Sequence, residues 1–80
     1  MKIIILNLPR TINEKGLENI FKPYGNVSNC NIVLDNITNK SKGFGFIEMS
    51  EEEDAKNAIY KLHGSILFKN KIRVKRVNNL

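Results

Sequence analysis

The chain opens on an apolar, β-branched run, Lys2-Ile3-Ile4-Ile5-Leu6, which Asn7-Leu8-Pro9 stops, so a strand is predicted over residues 2–6. The spacing then changes from two to three and four. Leu17, Ile20 and Phe21 share one helical face. Asn13 stands as the N-cap, Ile12 and Leu17 as a hydrophobic staple across it, and Pro23-Tyr24-Gly25 as the stop. Gly16 weakens this helix by about 1 kcal/mol relative to Ala. Alternation returns from Val27 to Leu34, with Cys30 and Ile32 inward and Asn31 and Val33 outward. Asp35 to Ser41 is polar and turn-rich, and Asn39 suits a left-handed conformation. Lys42 to Met49 forms a third strand. Ser50-Glu51-Glu52-Glu53 reads as a capping box at a second helix, buried along Ala55, Ala58, Ile59 and Leu62 and capped by Gly64. A last strand from Lys71 to Val77 alternates Ile72 and Val74 with Arg73 and Lys75.

The order is β-α-β-β-α-β. Two interleaved β-α-β crossovers give an α+β fold, a ferredoxin-like sandwich spanning residues 2–77. Its four-stranded antiparallel sheet has strands one and three at the centre and two helices on one face. The other face stays open, and Asn78-Asn79-Leu80 is expected to fray. Architecture alone assigns no function, since many unrelated proteins share it.

Eighty residues suffice for one domain and leave little room for an enclosed catalytic cleft. Cys30 is the single cysteine, which rules out an intrachain disulfide, and His63 is the single histidine, which argues against a zinc site. No metal or cofactor is expected. The run Ile3 to Leu6 is too short for a signal-peptide core or a membrane span. These features predict a soluble protein of a reducing, intracellular compartment: cytoplasm, or nucleus in a eukaryote. Thirteen Lys and Arg against eight Asp and Glu give a net charge of +5, which attracts polyanions. The acidic residues cluster at Glu51–Asp54, where carboxylates stabilise a helix N-terminus. The basic ones gather near the C-terminus at Lys69, Lys71, Arg73, Lys75 and Arg76.

The third strand carries the most specific chemistry. In Lys42-Gly43-Phe44-Gly45-Phe46-Ile47-Glu48-Met49, alternation puts Lys42, Phe44, Phe46 and Glu48 on one face and Gly43, Gly45, Ile47 and Met49 on the other. With Ile47 and Met49 against the helices, two phenyl rings face solvent, an arrangement that favours a ligand with flat π surfaces. The run matches the octamer K/R-G-F/Y-G/A-F-V-x-F/Y. With the first-strand element Ile3-Ile4-Ile5-Leu6-Asn7-Leu8, the chain resembles the RNA recognition motif from about Lys2 to Val77. It looks most like the short single-motif RNA-binding proteins of bacteria, because the motif begins at Met1. The resemblance implies single-stranded RNA as partner, bases stacked on Phe44 and Phe46, and phosphates neutralised by Lys2, Lys42, Arg73, Lys75 and Arg76. Ile4, Leu6, Asn7, Asn31 and Glu48 complete the expected contact set.

The sequence departs from the family pattern in three places. Ile4 stands where an aromatic is usual, Leu6 where glycine is common, and Met49 replaces the octamer's last aromatic. One stacking platform is lost and the open face becomes greasier. That change favours a competing reading: a protein-interaction module of the same fold, or self-association through the sheet. An enzyme is the third reading, and it lacks a nucleophile–base pair. Arg10 follows the first strand at a place where phosphate-cleaving enzymes of similar topology carry an arginine, yet Asn7-Leu8-Pro9 supplies no glycine-rich cradle. His63 reads as a satisfied surface histidine, Cys30 as a small buried hydrophobe, and Tyr24 and Tyr60 as packing at helix edges. Phe68 is either a packing cap or a partner contact. Neither a membrane nor a small-molecule substrate is implied.

Overall fold

The computed structural model describes residues 1–77, and the expected frayed tail at 78–80 lies outside them. Strand β1 (Lys2–Leu6) leads to helix α1 (Glu14–Phe21), which ends in one 3-10 turn at Lys22–Tyr24. Then come β2 (Val27–Leu34), β3 (Ser41–Met49), helix α2 (Glu52–Leu62), a short β4 (Ile66–Leu67) with β5 (Asn70–Lys71), and β6 (Arg73–Arg76). The main sheet runs β2-β3-β1-β6, antiparallel at every junction. Strands one and three are central, as their patterning requires.

Alternation decides which face is buried. Ile3 and Ile5 of β1, Ile47 and Met49 of β3, Ile32 of β2 and Val74 of β6 pack with Leu17, Phe21, Ala55 and Ala58 of the helices. Gly45 belongs to the same inward set, and a Cβ there would lie 2.7 Å from the Asn31 carbonyl oxygen. The octamer's glycine therefore lets β2 approach β3 closely. Asn13 caps α1 as its sequence position implies, accepting from the Gly16 N–H at 2.8 Å. Asn39 takes its left-handed conformation at φ 59°. Asp35 closes the same loop by accepting from the Ile37 and Thr38 N–H groups. These bonds hold its carboxyl below the usual range and leave Ile37 92% exposed at the tip.

Three expectations are corrected and one open alternative is narrowed. The capping box does not form. Glu51, not Ser50, is the N-cap of α2 and makes no side-chain cap bond, because the Ser50 hydroxyl instead accepts from Asn26 Nδ2 at 3.2 Å. Glu52, Glu53 and Asp54 still place carboxylates in the first turn. The last strand does not run unbroken from Lys71. Ile72 donates its N–H to Ser65 and accepts from Gly64, so Asn70–Lys71 folds back on β4 and only Arg73–Arg76 joins β1. Tyr60 does not pack, being 81% exposed, whereas Tyr24 lies against the core. Phe68 is not a packing cap. It sits at φ 55° in the β4–β5 turn and is 72% exposed, a conformation costing a bulky residue about 1–2 kcal/mol. Gly64 behaves as expected, at φ 80° with the Ser65 N–H bonded to Leu62 behind it.

A helix-end side chain takes one outward donor on each edge of the sheet. The outward N–H of Ile32 on β2 donates to Glu14 Oε2 at 3.0 Å. The outward N–H of Val74 on β6 donates to His63 Nδ1 at 3.0 Å, which satisfies the lone histidine. Each cap removes one donor that edge-to-edge association would use. Glu14→Ala should therefore cost about 1–2 kcal/mol of stability, read as a lower urea midpoint, with Glu14→Gln recovering part of the loss through its amide oxygen. An unchanged midpoint for Glu14→Ala would show that water satisfies the Ile32 donor equally well.

Cys30 packs partly against the core and donates its thiol to the Glu14 carbonyl at 3.3 Å. Partial burial, followed by the Glu14 and Glu18 carboxylates, pushes this thiol from 9.0 up to about 11. A raised folded pKa adds stability that is complete below the unfolded value and lost as pH climbs through the folded one. Cys30 in the native protein should accordingly resist iodoacetamide at pH 8 and gain reactivity only toward pH 11, whereas the urea-unfolded chain reacts as an ordinary thiol. Equal rates for the two states at pH 8 would contradict this.

Candidate nucleic-acid interface

The open face is ordered in rows across the strands. Asn31 of β2, Phe46 of β3, Ile4 of β1 and Lys75 of β6 are successive partners in register. Phe44, Leu6 and Arg73 form a second row. Lys2 faces Glu48 in a third. The two phenyl rings meet edge to face, with centroids 6.2 Å apart and planes at 80°. The ammonium of Lys2 stands over the Phe46 ring, 4.8 Å from its centroid. This is a cation–π contact on the solvent side of the sheet. Ile4, Leu6, Phe44 and Phe46 are all half-buried, and Arg73 and Lys75 are exposed along the β6 side. An apolar, π-rich strip is thus flanked by cations on one side and by the Asn31 amide on the other.

At the loop end the face runs into a cleft of about 830 Å³. Leu6 and Phe44 belong to both. The walls come from the β1–α1 loop, Asn70 and Arg73, with Lys42 and Gly43 at the start of β3. Here β3 bulges: between the Ile32–Gly45 and Leu34–Ser41 pairs it carries extra residues, and Gly43 takes φ 86° within them. The Leu8 N–H bonds the Gly43 carbonyl at 2.8 Å, tying the loop to the bulge.

Most of the expected contact set comes together. Lys2, Ile4, Leu6, Asn31, Phe44, Phe46, Glu48, Arg73 and Lys75 share the open face, and Lys42 stands at its loop end. One residue departs, and one has a second role. Arg76 lies opposite Ile3, on the same side of β6 as buried Val74. Its guanidinium reaches back to the carboxylate of Glu52 on α2, at 3.6 Å. It therefore serves the helix face, because strand alternation turns it away from Lys75. Asn7 lines the cleft and also ties the fold there: at φ 61°, its Nδ2 donates to the Lys71 carbonyl and its own carbonyl accepts from Asn70 Nδ2. Sequence reasoning noted Arg10 and set it aside, yet it lines the cleft, as does Asn70, which went unnoticed. Neither position carries a periodic signal. Among the described residues, no group of three or more His, Cys, Asp or Glu is placed to hold a metal ion, and no helix is long and apolar enough to cross a membrane.

A family model described as "RNA recognition motif" matches residues 3–73. Polyadenylate-binding protein 2 of Arabidopsis thaliana is 40% identical over 65 residues, covering 81% of this chain and 10% of the relative. Small ribosomal subunit protein cS22 of Arabidopsis thaliana is 40% identical over 75 residues, covering 94% and 30%. A Sex-lethal homolog of Chrysomya rufifacies is 41% identical over 64 residues, covering 80% and 21%. The chain thus spans less than a third of the length of these curated relatives. They are eukaryotic, so the expected likeness to bacterial single-motif proteins gains no support from them. Among solved structures, RNA binding protein PG1 superposes with a TM-score of 0.96 at 34% identity, over 100% of this chain and 96% of that one. A Sex-lethal protein/RNA complex superposes at 0.88 with 32% identity, over 92% and 46%.

The facing of the rings has a direct test. Phe21, fully buried, should cost about 3–5 kcal/mol when replaced by Ala. Phe44→Ala and Phe46→Ala should each cost only about 1–2.5 kcal/mol, the aromatic pair plus the burial of a half-exposed ring. Urea unfolding of the three variants reads the difference, and comparable losses in all three would mean that β3 faces the other way.

Proposed function

The chain belongs to the RNA recognition motif family, and from that membership we propose that its open sheet face binds single-stranded RNA. The row of Asn31, Phe46, Ile4 and Lys75 carries this reading. A base stacks on the Phe46 ring, its neighbour rests against Phe44 and Leu6, and phosphates pass the cations of Arg73 and Lys75. Stacking contributes roughly 1–3 kcal/mol per base. Ile4 and Leu6 make apolar contact with a base or sugar but supply no π face, so affinity falls below that of a sheet with an aromatic at position 4. Binding involves no bond made or broken, and the groups on this face need no catalytic step to account for them. An RNA ligand places the protein where RNA is, in the cytoplasm, or in the nucleus if the cell has one. The same Ile4 and Leu6 favour the second reading, a protein partner or second copy on the sheet.

Titration of labelled octauridylate separates the two. Phe44→Ala and Phe46→Ala should each weaken binding by roughly 1–3 kcal/mol, and Ile4→Phe should tighten it by adding a ring beside Phe46. Affinity should fall with salt at a log–log slope of about −0.7 per phosphate neutralised. Arg73→Ala with Lys75→Ala should flatten that slope. Duplex RNA should compete poorly, its bases being stacked and closed to the rings. If duplex competes as well as single strand and the double variant keeps the slope, the sheet is not the RNA site and the protein-partner reading takes its place.

A further inference from the structure

The loop-end cleft holds a feature that stacking does not use. Arg10 donates Nη1 to the Ser41 carbonyl at 3.4 Å. That bond engages one end of the guanidinium, and Nε and Nη2 lie beside Gly43. Nε and Nη2 lie 3.8 and 4.0 Å from the point a Cβ at Gly43 would occupy. A Cβ at Gly43 would touch both nitrogens only at ordinary contact distance, so the bulge seats the guanidinium against the backbone of β3 at the wall of the cleft. Arg10 forms no ion pair among the described residues. Lys42 and Arg73 line the same cleft, and no Asp or Glu does. Its volume falls within the roughly 300–1,000 Å³ range of small-ligand sites. Because Phe44 and Leu6 floor both the cleft and the second row of the sheet, a strand stacked on Phe44 reaches this cleft with its next nucleotide.

We propose that the cleft is a nucleotide subsite beyond the sheet, in which the Nε–Nη2 edge of Arg10 receives two adjacent acceptor atoms of the RNA strand. The inference rests on the RNA-binding reading and adds to it a defined position. Two parts of a nucleotide offer such a pair. One is the O6 and N7 of guanine, which arginine takes bidentately. The other is a pair of phosphate oxygens, which it grips in the same way. A lysine at this position would bring the charge without the fork.

The test uses octauridylate and its variants carrying one G, A or C at either end, titrated by fluorescence anisotropy against the wild-type chain, Arg10→Ala and Arg10→Lys. Circular dichroism checks that the exposed substitutions leave the fold intact. If the ligand is guanine, the wild type prefers an end-G oligomer by roughly ten-fold. Both variants then lose that preference while binding octauridylate nearly as before. If the ligand is a phosphate, Arg10→Ala weakens all oligomers alike and lowers the salt slope by about 0.7, and Arg10→Lys restores most of the slope. Either result establishes the subsite and says which atoms fill it. If Arg10→Ala matches the wild type on every oligomer in affinity and slope, the subsite is overturned while sheet binding stands. Failure of the wild type to bind any oligomer would instead overturn the RNA-binding reading itself.

Discussion

Burial of Ile3 and Ile5 from β1 with Ile47 and Met49 from β3 sets the rest of the structure, because a strand has only two faces. Each of these side chains is fully buried and contributes roughly 1.5–3 kcal/mol when removed from water. Four together match the whole net stability of a small domain, about 5–15 kcal/mol. A one-residue slip would turn all of one strand's buried set into solvent, so the register of the two central strands is held firmly. Everything between those residues then faces outward without further instruction. Ile4 opposite Phe46 and Leu6 opposite Phe44 are consequences of the core, and the binding face needs no stabilising interactions of its own.

An open, partly apolar sheet invites the wrong partners, and the chain answers this at the edges. The Ile32 donor on β2 is taken by Glu14, and the Val74 donor on β6 by His63. Main-chain pairing with another strand is discouraged on both sides, while the face itself stays free. The separation matters because a base and a foreign β-strand use different groups. The base needs rings, amides and cations on the face, and the strand needs N–H and C=O groups on the rim. Arg76 fits the same division: it pairs with Glu52 on the helix side, leaving Arg73 and Lys75 as the β6 cations of the open face.

The periodic parts of this fold and its local caps and turns were legible in the sequence, and the parts set by distant contacts were not. Alternation in residues 2–6 and 42–49 gave the central strands, their facing and nearly all of the open-face residues. The Asn13 cap, the left-handed Asn39 and the Gly64 turn followed from side-chain and backbone chemistry that acts locally. What escaped depends on contacts distant in sequence. Ser50 has the right spacing for a capping box, but Asn26, 24 residues earlier, takes its hydroxyl. The β4–β5 hairpin is two residues per strand, too short for any period to show. Arg76 was placed by its nearness to Lys75, although one step along a strand is a change of face.

The cleft at Arg10 extends this contrast to recognition. A phenyl ring accepts any base, since every base has a π face, so the sheet built by alternation is tolerant by nature. Discrimination needs donors and acceptors fixed in direction. In this chain such groups sit where regular structure stops: at the Gly43 bulge, in the loop carrying Arg10, and at Asn7, whose positive φ turns the chain out of β1. Their positions are set by hydrogen bonds to backbone, Arg10 to Ser41 and Asn7 to Lys71, and so they are fixed without belonging to any repeat. The stacking rings thus belong to the periodic segments, which alternation made readable, whereas the direction-fixed groups belong to irregular ones, and of these Arg10 and Asn70 needed coordinates to be placed in the cleft.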